Sequence, residues 1–285
     1  MCIRSLRDLN RRHGQTLHRY ATSLFVPFFR HALRTDPDGF RVAVQGGRLV
    51  AFAITILRDR THFLSMFFAL PGRQSHGIGR VLLARAFDDP RPPSGHVRCV
   101  VASADLRAQA LYLKFGMQPR TIVYYVMGRP PKEAPGTRIE LRQVGPTGRA
   151  TRQALALAAK FDRPLREVRR DVDHRYFFAV VKGTRMFEAR HRGKTVGYVT
   201  IRGNGAIGPG GVVRPSLSAD LMAAAIGKAR DLGLRQVFIW IPGLNAGALR
   251  AAFDAGLRVD FLTTWMAARP LGNLSAYVPA NGTLF

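Results

Sequence analysis

The seventeen residues from Phe67 to Leu83, FFALPGRQSHGIGRVLL, constrain the fold more than any other part of this chain. An apolar, aromatic run ends at Pro71, a glycine-rich turn follows, and an apolar segment at helical spacing opens at Ile78. The predicted order is strand, turn, helix. Main-chain N–H groups gathered in such a turn, next to a helix N-terminus with its partial positive charge, cradle a pyrophosphate without relying on any one side chain. Gly77 and Gly79 stand where a side chain would obstruct that approach. Pro71 cannot donate to a ladder, so the strand ends there.

The Q-x-x-G-x-G pattern at Gln74, Gly77 and Gly79 is weak in a chain with 28 glycines, so its surroundings must carry the weight. A second strand, Val97 to Ala102, precedes DLRAQALYLKFGM, Asp105 to Met117, whose apolar residues keep helical spacing until Gly116 stops the helix. Together the two segments resemble the GNAT superfamily of N-acetyltransferases. The first is similar to its [QR]-x-x-G-x-[GA] acetyl-CoA loop and the second to its N-x-x-A-x-x-L-Y-x-x-x-G-[FM] helix. Ala108, Leu111, Tyr112 and Gly116 fit, whereas Asp105 stands at the Asn position.

The second half repeats the first. Adding 140 to each number takes Asp105 to Asn245, Ala108 to Ala248, Gly116 to Gly256 and Met117 to Leu257, and the strand at Val97 falls on VFIWIP at Val237. The same offset takes Gln74 to Arg214, Gly77 to Leu217, Gly79 to Ala219 and Tyr112 to Ala252, so the copy has lost its cofactor chemistry. Hairpins around Gly46–Gly47 and Arg192–Gly193 correspond with a shifted offset. The expected class is α+β, a mixed sheet with helices, in two tandem GNAT-like domains over 1–130 and 136–285. The first is competent, the second is degenerate, and a Pro/Gly-rich linker from Gly128 to Thr137 joins them.

Within the first domain the pattern predicts two short helices over Asp8–Leu33, a hairpin over Phe40–Thr55, a strand over His62–Leu70 and a last strand over Thr121–Met127. The strand that opens the family's fold has only Cys2–Leu6 to form it, whereas the second domain offers Thr137–Gln143. The two cysteines, Cys2 and Cys99, make neither a disulfide framework nor a metal site, so no metal is expected. With no signal-like apolar core and no apolar run of membrane-spanning length, the expected compartment is the cytoplasm.

The net charge of +26 demands a decision about partners. The arginines are scattered, with no sustained basic run and no aromatic-studded RNA-reading motif, so nucleic acid is the less favoured partner. Two other function classes stay open: a CoA-binding protein without catalysis, and a nucleic-acid-binding or RNA-acetylating protein. Because the chain has only 18 acidic residues and none in the segments expected to line a cleft, a polycationic acceptor is disfavoured. A small-molecule amine that is neutral or anionic fits better.

The resemblance implies an enzyme in which a primary amine attacks acetyl-CoA directly in a ternary complex. It implies that main-chain groups of Phe67, Phe68 and Ala69 face the cofactor, and that Gln74, Ser75, His76, Gly77, Ile78, Gly79 and Arg80 take the pyrophosphate. Asp105 and Ala108 would contact the cofactor, and Tyr112 would both contact it and protonate the departing thiolate. The predicted strand THFLSMFFAL has no carboxylate to serve as base. His62, Ser65 and the α-carboxylate of Phe285 are the remaining candidates, of which Phe285 resembles the terminal carboxylates of some tandem relatives.

Overall fold

A computed structural model describes residues 1–12, 25–72, 77–88 and 95–285. Contacts divide the chain into two units, each built from two stretches of sequence. Unit 1 is Met1–Arg120 with Thr264–Pro270, and unit 2 is Thr121–Thr263 with Leu271–Phe285.

Unit 1 opens with helices α1 (Cys2–Arg12) and α2 (Val26–Thr35). The segment Cys2–Leu6 is therefore helical and not a strand: Cys2 and Ser5 are buried on one side of α1, and Arg12 pairs with Asp8 across one turn at 2.6 Å. Strands β1 (Phe40–Gln45), β2 (Arg48–Arg58) and β3 (Thr61–Ala69) form an antiparallel meander. Gly46 and Gly47 turn the first hairpin with φ of +56° and +71°, values open to glycine at little cost. Helix α3 (Ile78–Asp88) crosses to β4 (Val97–Ala102), which lies parallel to β3. Helix α4 (Leu106–Lys114) follows and ends at Gly116, φ +80°. Leu64, Leu83, Phe87, Val100 and Met117 centre the core.

Unit 2 repeats this order with an added opening strand. It contains β5 (Gln118–Gly128) except its first three residues, then β6 (Glu140–Gln143), α5 (Arg152–Arg166), α6 (Asp171–Val180), β7 (Arg185–His191), β8 (Lys194–Ile201) and β9 (Ala206–Val212). Helix α7 (Ser218–Asp231), β10 (Val237–Pro242), α8 (Ala246–Asp254), β11 (Arg258–Ala267) and the short β12 (Tyr277–Val278) complete the series. Strand β6 is shorter than the sequence predicts: the Thr137 hydroxyl and the Arg138 amide bond to Asp220 in the first turn of α7. The offset of 140 holds in space: α3, β4, α4 and β5 begin at residues 78, 97, 106 and 118, and α7, β10, α8 and β11 at 218, 237, 246 and 258.

The equivalent strands β5 and β11 are exchanged between the units. In unit 2, β5 pairs antiparallel with β10 from Val237↔Gly128 to Pro242↔Val123. In unit 1, the end of β11 pairs antiparallel with β4, Thr264↔Ala102 to Ala267↔Cys99. Trp265 is fully buried there, its ring 6.2 Å from that of Phe63. The strand predicted at Thr121–Met127 thus exists, but it completes the sheet of unit 2.

Candidate active site

Strands β3 and β4 run side by side only as far as Leu64↔Val100, although β3 continues to Ala69 against β2. Past Leu64, no strand among the described residues pairs with that edge of β3. The amide of Leu70 donates to Val50 on the β2 side at 2.9 Å. Amides alternate sides along an antiparallel strand, so Phe68 and Met66 also face β2, whereas Phe67 and Ala69 turn their amides into the opening. The carbonyl of Ala69 points the same way and accepts from the Ser5 hydroxyl of α1 at 3.0 Å.

A cavity of about 520 Å³ fills this opening. Its walls come from β3 (Phe67, Phe68, Ala69), the start of α3 (Gly77, Gly79, Arg80), α4 with its cap (Asp105, Ala108, Tyr112) and α1 (Ser5, Leu9, Arg12). Gly77 has φ +80° with open space where a Cβ would stand, so glycine is required for backbone conformation and not for room. Its carbonyl begins the helix by accepting from Arg80 and Val81. Gly79 is required for room: a Cβ would lie 3.0 Å from Phe67 Cζ and 3.5 Å from Leu111 Cδ2, so its absence lets α3 approach β3 and α4.

Asp105 caps α4, accepting from the Arg107 amide at 3.0 Å and from the Arg107 guanidinium at 3.1 and 2.8 Å. Burial pushes its carboxyl up, but the Arg107 bonds and the charges of Arg107 and Arg12 outweigh this and hold it below the usual carboxylate range. Tyr112 is buried on α4, edge-on to Phe67 with ring centroids 6.3 Å apart. Burial first, and then the Asp105 charge, raise its phenol above the ordinary value, so the hydroxyl keeps its proton at neutral and alkaline pH.

Nine of the residues singled out in the sequence line this one cavity: Phe67, Phe68, Ala69, Gly77, Gly79, Arg80, Asp105, Ala108 and Tyr112. Ile78 packs instead on the core of unit 1. Gln74, Ser75 and His76 lie outside the described residues. Phe285 lies in unit 2, where its carbonyl oxygen accepts from Arg170 at 2.7 Å and Arg166 at 3.2 Å and its ring lies beneath the Arg166 guanidinium. His62 sits at the opposite end of β3 from the opening, edge-on to Phe87, and burial, His96 and Arg98 push its pKa down to about 4. The contribution of α1 was not foreseen. Leu9 and Arg12 fall in the helix expected from Asp8 onward, whereas Ser5 lies in the segment expected as a strand. Asp105 is the only carboxylate among the described lining residues, beside Arg12, Arg80, Arg107 and Lys114, so the expectation of a cleft without acidic residues fails at this one position. Among the described residues no group of three or more His, Cys, Asp or Glu side chains could hold a metal ion, and no helix is long and apolar enough to cross a membrane.

Residues 4–117 match the model of the acetyltransferase (GNAT) family. No curated protein matches the sequence. Among solved structures, a candidate acetyltransferase from Pyrococcus horikoshii aligns over 99% of this chain and 92% of its own, with TM-score 0.72 and 16% identity. A GCN5-related N-acetyltransferase from Sphaerobacter thermophilus aligns over 96% and 94%, with TM-score 0.64 and 20% identity. A tandem GNAT protein from the clavulanic acid biosynthesis pathway aligns over 93% of both chains, with TM-score 0.55 and 18% identity. At these identities the likeness is one of fold, and it runs through both halves of the chain.

Proposed function

Since residues 4–117 form a GNAT acetyltransferase domain, we propose that the chain transfers the acetyl group of acetyl-CoA to a primary amine in the unit 1 cavity. The observation that carries this is the open edge of β3, where the amides of Phe67 and Ala69 face a cavity that also receives the start of α3 and the Tyr112 side chain. Those amides suit the amide-bearing pantetheine arm and the thioester oxygen. The turn at Gly77, the N-terminus of α3 and Arg80 offer donors and positive charge to the diphosphate. Bound acetyl-CoA would supply an activated acyl group.

The residues of the chain do the rest. Tyr112 holds a proton at Oη for a leaving thiolate; its raised pKa keeps the phenol protonated across the working pH range and also makes it a weaker acid than free tyrosine. Asp105 is committed to Arg107 and to the cap of α4, which makes it a poor base. The acceptor amine therefore enters neutral or gives its proton to water. Four cationic side chains around one carboxylate repel a polycation and favour a neutral or anionic amine. A thiol-release assay with acetyl-CoA over a panel of amines tests this. Turnover of at least one neutral or anionic amine, lost on Tyr112→Phe, is expected; coenzyme A binding without turnover of any amine would reduce the protein to a cofactor binder.

A further inference from the structure

In unit 1 the parting of β3 from β4 leaves a cavity; in unit 2 the matching gap is filled by the chain itself. The registers define the match: His62 pairs with Arg98 in unit 1 and Ala206 with Phe238 in unit 2, so β10 is β4 plus 140 and β9 is β3 plus 144. Strands β9 and β10 pair only at Ala206 and Ile207, after which the exposed edge of β9 takes β12 as an antiparallel partner, Tyr277↔Gly211 and Val278↔Gly210. The Val212 amide faces this gap, as the Phe67 and Ala69 amides do in unit 1, and donates to the Ala276 carbonyl at 3.0 Å.

The two helix starts that flank the unit 1 cavity hold this segment in unit 2. Ser218, at the position of Ile78, donates to the Ser275 carbonyl at 3.2 Å, and Asn245, at the position of Asp105, donates to the Tyr277 carbonyl at 3.2 Å while capping α8. Arg202 closes the far end on the Ala280 carbonyl at 2.6 Å. Ala276, Tyr277, Val278 and Ala280 are each at most 2% exposed. Strand β9 is built for this contact. A Cβ at Gly211 would fall 2.8 Å from the Ala276 oxygen and one at Gly208 2.4 Å from the Pro279 oxygen.

We propose that Ser275–Ala280 is an internal ligand of unit 2: an extended peptide, with its own amides, lies where a pantetheine arm would thread, and closes that unit to acyl-CoA. The filled groove stands independently of the activity assigned to unit 1; the further statement that one acyl-CoA binds per chain rests on that assignment.

Two measurements on the full chain test it. The first is the stoichiometry of coenzyme A, by native mass spectrometry, for the unaltered protein and for Gly79→Phe, which crowds the unit 1 cavity and leaves unit 2 untouched. The expected values are one and zero; two per chain, or one retained by Gly79→Phe, overturns the proposal. The second is amide hydrogen exchange, read at Val212 and Val278. Slow exchange that saturating coenzyme A leaves unchanged is expected, as is exchange at Val212 at least tenfold faster in a Tyr277→Gly, Val278→Gly chain. Fast exchange at Val212 in the unaltered protein, or exchange hastened by coenzyme A, overturns the proposal. Absence of coenzyme A binding by the unaltered protein, with these amides still slow, would sink the assignment of unit 1 and uphold the filled groove.

Discussion

Tyr112 and His62 are both buried and both shifted away from ionisation, yet only one of them borders the cavity. On the proposed mechanism, Tyr112→Phe removes the proton held for the leaving group and keeps the ring packed on Phe67, so kcat is expected to fall about 100-fold or more with KM for acetyl-CoA little changed. Steady-state kinetics with a confirmed acceptor measures both. For His62 the consequence is stability. Its folded pKa of about 4 lies below the ordinary 6.5, so as pH falls the unfolded chain takes up the proton first. Stability is then level above pH 6.5 and declines between 6.5 and 4, with about 2 kcal/mol lost from pH 7 to pH 5 through this group. Urea midpoints at the two pH values give the slope. A His62→Leu chain with the same slope as the unaltered protein would contradict the assignment.

The elements that the sequence foretold are those whose signal is local. Gly77 and Gly79, the cap at Asp105 and the stop at Gly116 each announce a turn or a helix end within a few residues, and β3, α3, β4 and α4 all form where that chemistry places them. The elements it hid depend on distant partners. Cys2–Leu6 is short enough to suit either a strand or a helix, and packing of Ser5 on Ala69 favours the helix. Strands β5 and β11 have equivalent sequences, so neither sequence states which unit it completes. Gly211 lacks any pattern until Ala276 and Tyr277 are seen against it. Because β11 completes unit 1 through Trp265, Trp265→Ala is expected to cost about 3–5 kcal/mol by chemical denaturation and to hasten amide exchange in β4. A loss below about 1 kcal/mol would mean that the edge of β4 does not need this strand.

Over the whole molecule, an offset of 140 residues generates two units of the same order, one with an open groove and one with a filled groove. In the proposed reading the charge of +26 acts at this scale, on the choice of acceptor. Neutral and anionic amines are expected to give higher kcat/KM than polyamines, and the gap is expected to narrow as salt rises through screening; a spermine-like polycation as the best substrate would contradict it. The central claim, that the parted edge of β3 grips acetyl-CoA through its main chain, is tested most directly by residue-resolved amide hydrogen exchange with and without acetyl-CoA. Slowing at Phe67, Ala69 and the amides from Gly77 to Arg80, with Ala206–Ala219 unchanged, is the predicted result. No change from Phe67 to Arg80, or slowing confined to Ala206–Ala219, would contradict it.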